Sequence, residues 1–368
     1  MAKAPHTHGE RDEHQRNPVP LLTTPHKGAA VPLGIAPEDV SIVIPAYNAA
    51  CTLAETLESV FAQSAPVREI IVVNDGSKDD TASVLARYQP RVRVIDQPNG
   101  GLASARNTGC IAAMGKFIAI LDADDLASPD RVALQVACLR LNPDIVLCYS
   151  DFSAFGDGMP RSPSYSQTYY STFSDHKSPF PPRQIYHSSD GEQVTLHVAD
   201  HYEWLAHGNI VHPPTMMFRR TLFETAGPFD ESICNMCDWE WIVRASRCGL
   251  FGYIERPLLD YRMHQGQMHR DARAALDTLQ VTKLICQRDP ELARRHRRRF
   301  RKEMAMRYIE AANALCEINK LEAWRNLLKA MKLGRTSALV PRIVAKSLLP
   351  QALVKKARSW KSGLMPGV

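Results

Sequence analysis

Three carboxylates stand within four residues at Asp122-Ala123-Asp124-Asp125, directly after the apolar run Ile118-Ala119-Ile120-Leu121. Such a group repels itself, so it is costly unless a cation joins it. Hard oxygen ligands suit Mg²⁺ or Mn²⁺, above all when substrate phosphates complete the shell. A short Asp-x-Asp also serves as the turn capping a following helix, here one expected near Pro129. A second polar cluster, Asn74-Asp75-Gly76-Ser77, closes the run Ile70-Ile71-Val72-Val73. The chain contains no G-x-G-x-x-G and no G-x-x-x-x-G-K-[ST], which disfavours a dinucleotide fold or a P-loop. A divalent ion on Asp124 is then the candidate for handling phosphates. Cys234-x-x-Cys237 lacks the second pair that a structural zinc site needs. His6, His8, His14 and His26 sit in a polar stretch with no periodicity to hold them in place.

The elements that must position these groups are legible from periodicity. Ser41-Ile42-Val43-Ile44-Pro45 reads as a buried strand ending at proline. Thr52-Leu53-Ala54-Glu55 has capping-box spacing ahead of a helix carrying Leu53, Leu57, Val60 and Phe61 on one face. Residues 70–73 predict a second strand, Val84, Leu85 and Tyr88 a helix, and residues 92–95 a third strand. Residues 102–114 predict a helix, 117–121 a strand, 129–141 a helix and 145–149 a strand. Alternating β and α with unbroken apolar strands implies an α/β fold, its parallel sheet covered on both faces. Right-handed crossovers place the loops after these strands along one edge, where such folds bind ligands. From about 155 to 202 the pattern dissolves into Ser, Pro, Tyr and Gly, which reads as a long variable loop. A strand at 215–218 and a helix at 239–247 follow, and beyond Asp271 the chain reads as helical and basic.

Four pieces in order then resemble family-2 glycosyltransferases: Ser41-Ile42-Val43-Ile44-Pro45-Ala46-Tyr47-Asn48, Val72-Val73-Asn74-Asp75-Gly76-Ser77, the stretch Asn99-Gly100-Gly101-Leu102-Ala103-Ser104-Ala105-Arg106-Asn107-Thr108-Gly109, and Phe117-Ile118-Ala119-Ile120-Leu121-Asp122-Ala123-Asp124-Asp125. The resemblance spans roughly residues 40–265. It implies a GT-A fold, with a Rossmann-like, mainly parallel sheet, and inverting transfer of a sugar from a nucleotide-sugar donor, here a UDP-sugar. By motif position, Pro45, Ala46, Tyr47 and Asn48 would line the donor pocket and Asp75 would bind the uracil edge. Asp122 would contact the ribose or sugar, and Asp124 would hold the metal, Mn²⁺ or Mg²⁺. Arg106 would lie near the donor, with a helix-surface salt bridge as its other reading. Asn74 stands where the family more commonly has Asp. Cys237-Asp238-Trp239-Glu240-Trp241 resembles the family's Glu-Asp pair at a helix start, which makes Asp238 the catalytic base and Glu240 its rival; Cys237 replaces the usual Glu. Tyr261-Arg262-Met263-His264 resembles the element whose His helps coordinate the metal.

The resemblance divides the chain into a mobile tail at 1–38, a glycosyltransferase domain at 39–265 and a basic helical region at 266–368. Within the domain, a donor half covers 39–150, an acceptor half 200–265, and the variable loop 155–202. From Arg270 onward there are 23 Lys+Arg and 8 Asp+Glu, a net of +15; the remainder holds 22 and 31, a net of −9. A basic region on an acidic body makes an anionic membrane surface a candidate partner. The run Arg294-Arg295-His296-Arg297-Arg298-Arg299-Phe300-Arg301-Lys302 lacks interleaved aromatics, which disfavours nucleic acid. Leu339, Ile343, Val344, Leu348, Leu349, Leu353 and Val354, interrupted by Pro341, Arg342, Lys346 and Pro350, suit lying on a membrane or packing on the body rather than spanning. No window approaches the ~20 apolar residues of a spanning helix, and the first forty residues lack the apolar core of a signal peptide. Nine singly scattered cysteines fit a reducing compartment. The expected location is therefore cytoplasmic, with the inner face of the plasma membrane as the candidate surface. The expected acceptor is a glycan or a lipid-linked sugar of cell-surface or exopolysaccharide synthesis. Two readings compete with this: a non-catalytic nucleotide-sugar-binding scaffold of the same fold, and a nucleotidyltransferase. The second should carry a Gly-rich basic loop where this chain has Ala46-Tyr47-Asn48-Ala49-Ala50.

Overall fold

A Val/Ile run with no polar interruption can be satisfied only where both faces of a strand are covered, and the first half of the chain meets that demand in one sheet. The computed structural model describes residues 29–30, 39–156, 158–170, 180, 182–187, 191–264, 273–334, 337 and 339–348. The strands are β1 (Ala29–Ala30), β2 (Val40–Ala46), β3 (Glu69–Asp75), β4 (Arg93–Gln97), β5 (Phe117–Ile120), β6 (Leu126–Ala127), β7 (Ile145–Gly156), β8 (Met159–Ser162), β9 (Pro182–His187), β10 (Gln193–Ala199), β11 (Met217–Arg219) and β12 (Leu250–Arg262). The helices are α1 (Leu53–Phe61), α2 (Thr81–Ala86), α3 (Leu102–Ala112), α4 (Arg131–Leu141), α5 (Ser166–Tyr169), α6 (Tyr202–Leu205), α7 (Arg220–Ala226), α8 (Cys237–Ala245), α9 (Arg273–Arg288), α10 (Pro290–Arg295), α11 (Arg297–Leu315), α12 (Lys320–Lys332) and α13 (Leu339–Leu348).

Sheet order is β1-β9-β10-β12-β7-β11-β5-β2-β3-β4, with β6 on β12 and β8 on β7. Strands β5, β2, β3 and β4 run parallel. Strand β11 enters antiparallel between β5 and β7, and β12 pairs parallel with β7. The expected α/β architecture of GT-A type, a mixed and mostly parallel sheet flanked by helices and followed by C-terminal helices, is the one observed. The alternation of side chains along a strand divides the core. Ile42, Ile44, Ile70 and Val72 face one layer with Leu53, Leu57 and Val132, while Val43, Ile71 and Val73 face the other with Ala105, Phe229 and Trp241. Helix α3 lies so close to β2 that a Cβ on Gly109 would overlap Val43 Cγ1.

The structure departs from the sequence expectations in several places. Thr52 stands at the helix start as expected, but its hydroxyl makes no cap; it donates instead to the Ala123 carbonyl at 2.9 Å. Strand β7 continues past residue 149 through buried polar residues Ser150, Asp151 and Ser153. The expected loop at 155–202 contributes β8, α5, β9 and β10 among its described residues. In β10, Val194, Leu196 and Val198 alternate with Gln193, Thr195 and His197, a half-buried strand pattern hidden by Ser- and Pro-rich surroundings. Of the expected tail, Ala29–Ala30 is described and pairs parallel with Tyr186 and His187; His6, His8, His14 and His26 lie outside the described residues, as do Leu349, Pro350, Leu353 and Val354.

Much of the basic region packs on the body. Val281, Ile285, Leu292 and Phe300 join the second core, while Ile309, Leu327 and Ile343 anchor a small core of their own among α11, α12 and α13. Among the described residues, no helix is long and apolar enough to cross a membrane.

Gly109→Ala is expected to lower stability by about 1–3 kcal/mol, the range for overpacking a rigid contact, since Val43 is fully buried. Urea unfolding followed by circular dichroism measures it; an unchanged midpoint would mean that α3 and β2 can separate freely.

Candidate functional site

The acidic loop after β5 is held from both sides. Thr52 and Thr56 of α1 donate their hydroxyls to the Ala123 carbonyl, at 2.9 and 3.0 Å. On the other side Arg262 donates its backbone N–H to Asp125 Oδ1 at 2.9 Å and its Nε to the Asp124 carbonyl at 2.8 Å. Asp125 is fully buried with Oδ2 unpartnered. Burial first, and then the charges of Asp124 and Asp122, push its carboxyl well above the usual range. Asp122 is raised too, by burial and by Asp124, against the pull of Arg106. Asp124 is about one-third exposed, and His264 Nε2 lies 2.9 Å from its Oδ2, joining the end of β12 to the loop after β5.

Arg106 is not on a helix surface: it is 2% exposed, with Nη2 donating to Asp122 Oδ1 at 3.1 Å. Burial alone would pull its pKa down, but Asp122, with Asp238 adding to it, raises it. The guanidinium thus links the end of β5 to the start of α8. Asp238 opens α8 with Oδ1 buried and unpartnered, and Asn209 donates to Oδ2 at 3.4 Å. Burial raises its pKa, while Arg106 acts to lower it. Glu240 is engaged elsewhere: it is 2% exposed and accepts from Arg244 Nε and Nη2 at 2.8 Å each, and from Arg288. That leaves Asp238 as the carboxylate of the pair with an oxygen free of protein partners. Cys237 beside it is fully buried, its thiol pushed up to about 12 chiefly by burial, a chemically inert position.

The loops after β2 and β3 form the remaining edge. Pro45 and Ala46 are buried in β2, and Tyr47 is 49% exposed. Asn48 adopts φ 51°, accepts at Oδ1 from the Lys78 N–H at 2.8 Å and donates its own N–H to Ser77 Oγ at 3.0 Å, so it braces the two loops together. Asp75 is 3% exposed. Its Oδ1 accepts from Gln97 Nε2 and the Gly100 N–H, both at 2.8 Å, and its Oδ2 from the Gly101 N–H at 2.9 Å. Gly101 needs its positive φ of 87° for that turn. Asn74 donates to Asp96 Oδ1 at 2.8 Å, a bond that an ionised Asp in its place would turn into repulsion.

The donor set fits a divalent cation. Three carboxylates, two of them raised by burial and by neighbouring charge, would gain from positive charge, and Asp124 and His264 would be its O and N ligands. Among the described residues no group of three or more His, Cys, Asp or Glu is arranged to hold a metal. Tyr169, Tyr170 and Tyr261 form an aromatic wall beside these acids: the rings of Tyr169 and Tyr261 meet edge-on at 5.9 Å, and Asp238 adds to the burial that raises the Tyr169 and Tyr170 phenols. Sequence reasoning missed Asn209, Tyr169 and Tyr170, since isolated polar and aromatic residues outside periodic stretches carry no signal.

Residues 41–226, just over half the chain, match the family model described as Glycosyl transferase family 2. An uncharacterized glycosyltransferase of Rickettsia prowazekii is 28% identical over 239 residues, which is 65% of this chain and 68% of that protein. Chondroitin synthase of Pasteurella multocida is also 28% identical, over 61% of this chain but 20% of its own length. Among solved structures, S. aureus TarS 1-349 in complex with UDP-GlcNAc aligns with a TM-score of 0.56 at 17% identity, covering 88% of this chain and 92% of that one. The mannosyltransferase PcManGT from Pyrobaculum calidifontis, in complex with GDP-Man and Mn²⁺, gives 0.51 at 21% identity, covering 93% and 87%. At these identities the structural likeness speaks for the fold.

Asp75→Asn should cost about 1–3 kcal/mol of stability, because an amide cannot accept at both positions and leaves a buried N–H unsatisfied. Chemical denaturation measures it. An unaltered midpoint would show that the turn at Asn99–Gly101 holds without the carboxylate.

Proposed function

The chain belongs to glycosyl transferase family 2, and on that footing we propose that it transfers a sugar, with inversion, from a nucleotide-diphosphate sugar to a hydroxyl of a glycan or lipid-linked acceptor in polysaccharide assembly. The observation that carries this reading is Asp238: a carboxylate with one buried oxygen unpartnered, linked through Arg106 to the acidic loop. An inverting transfer needs one base beside the acceptor hydroxyl to take its proton as the new bond forms. Asn209 orients one oxygen of Asp238 and leaves the other to do that. The raised pKa places the base nearer to neutrality than an ordinary carboxylate, which favours proton transfer.

A UDP-sugar is the proposed donor. An ionised carboxylate offers about four lone-pair sites; three on Asp75 are occupied, which leaves one for the imide edge of uracil. Exposed Tyr47 is the side chain of the β2 loop available to the base. Arg106 and Asp122 would orient the ribose or sugar. A bound Mn²⁺ or Mg²⁺, with Asp124 and His264 as its protein ligands, would supply charge neutralisation of the departing nucleoside diphosphate. The retained carboxylates support turnover over a scaffold role, and the Ala- and Asn-bearing loop after β2 lacks the basic character expected of a nucleotidyltransferase.

Asp238→Asn is expected to slow single-turnover transfer by about 10²–10⁴ while donor affinity stays unchanged. Activity of the unaltered protein should be lost on acidification at a higher pH than an ordinary carboxylate would give, since the base works only when ionised and its pKa is raised. That acid limb should vanish from the residual rate of the variant. Glu240→Gln should reduce stability instead of rate, because it weakens pairing with two arginines. A collapse of donor binding in Asp238→Asn would reassign the residue to donor positioning.

Asp124→Ala should abolish the Mn²⁺ dependence of UDP-sugar binding in isothermal titration and leave the fold intact, since the side chain is partly exposed at a strand end. Mn²⁺-dependent affinity equal to that of the unaltered protein would refute its role as a ligand.

A further inference from the structure

The outward side of α12 is apolar where a surface helix is ordinarily polar. Leu321, Leu328 and Met331 are 64%, 54% and 56% exposed, and Ile318 just ahead of the helix is 73% exposed. The inward side buries Ala323, Asn326, Leu327 and Ala330. Basic residues frame the outward side. Arg325, Lys329 and Lys332 are exposed on the same helix, and Arg298, Arg301 and Lys302 are exposed at the start of α11. Arg301 Nε donates to the Leu333 carbonyl at 3.0 Å, so that start lies beside the end of α12.

On the flank toward α9 an open groove of about 380 Å³ is lined by Leu276, Leu279 and Leu284 together with Lys283 and Lys329. Both ammonium groups stand over the Tyr308 ring, 5.2 and 5.6 Å from its centre. Burial, and then the charge of Lys329, lower the Lys283 pKa. Glu322, the carboxylate of the groove, is paired with Arg325 at 3.1 Å. Gln280, Gln287 and Asn326 also line the groove, which carries excess positive charge over a mixed leucine and amide surface.

We propose that this face docks the protein on an anionic bilayer, with α12 lying along the surface, its Leu and Met side chains entering the headgroup boundary, and Lys283 and Lys329 receiving a lipid phosphate. Charge selects this occupant. A second copy packed face to face would set the same basic frame against itself, and residues 351–368 carry four Lys and Arg with no Asp or Glu. Apolar side chains framed by Lys and Arg are what an interfacial helix presents to acidic lipid. The proposal deepens the reading of a lipid-linked acceptor by bringing the enzyme to the surface where such an acceptor resides.

The test is flotation of the full chain with vesicles of phosphatidylcholine alone or with about a quarter phosphatidylglycerol, at low and high salt. The protein should float with the anionic vesicles and lose that binding as salt rises. Leu328→Asp/Met331→Asp and, separately, Lys283→Gln/Lys329→Gln should each weaken it about tenfold or more. Transfer to a soluble acceptor should be unchanged in both variants, so loss of docking and loss of the transferase reading are told apart. Equal flotation with neutral vesicles, no flotation, or unaltered binding by both variants would overturn the proposal. A dimer in light scattering that Leu328→Asp/Met331→Asp dissolves would assign the face to a second copy instead.

Discussion

One buried cation holds the site together. Arg106 is almost wholly out of water, and a guanidinium there is tolerable only with anions around it. Asp122 from the end of β5 bonds to it, and Asp238 from the start of α8 faces it. Each acid is itself pushed toward protonation by burial, so each needs the arginine as much as it needs them. Two stretches more than a hundred residues apart are thereby fixed across one charge. The neighbour on the same helix makes the joint rigid: Asn107 donates to the Phe229 carbonyl at 3.0 Å and accepts from the Phe229 N–H at 2.8 Å. Because α3 packs tightly on β2 at Gly109, the guanidinium is carried on a helix seated against the sheet.

The acidic loop is prepared in the same manner, from outside. Left alone, Asp122, Asp124 and Asp125 would spread apart. Two threonine hydroxyls at the start of α1 and the backbone and side chain of Arg262 fix the loop mainly through its backbone carbonyls and Asp125, which accepts from the Arg262 N–H. One oxygen of Asp122 is taken by Arg106 and one of Asp124 by His264. The Asp125 carboxyl, raised well above the usual range, favours the neutral form, which lessens the repulsion between its neighbours. Groups fixed in advance in this way are the condition for electrostatic stabilisation to be effective.

Periodicity and motif position made much of residues 39–150 legible, with strands β2, β3, β4 and β5 and the acids after β5, and they placed Asp238 at the start of a helix. Motif position also assigned His264 and Asp124 to one metal, and the two side chains meet across 140 positions of chain. Other features depend on contacts between distant residues and could not be read. Asn74 looked like a departure from a pattern until Asp96 on the adjacent strand explained it. Asp75 was expected at the base edge, yet most of its bonding capacity holds the turn before α3. Strands β9 and β10 were hidden because a Ser- and Pro-rich neighbourhood outweighs a short alternating run. Asn209 and Tyr170 reach the site from segments with no repeat for pattern reasoning to find.

The separation of Asp238 from Glu240 shows how one helix serves two ends of the molecule. Two positions on an α-helix differ by about 200° in direction, so these acids face nearly opposite ways from the first turn of α8. Asp238 faces Arg106, whereas Glu240 is paired with Arg244 on its own helix and Arg288 at the end of α9. The acid that sequence alone could not exclude as the base is therefore the anchor for the C-terminal helices. Leaving Glu240 unpaired in the interior would be costly, so Arg288 and α9 are bound to the orientation of α8. The basic region is in this sense part of the site's support: it braces, from behind, the helix that carries Asp238.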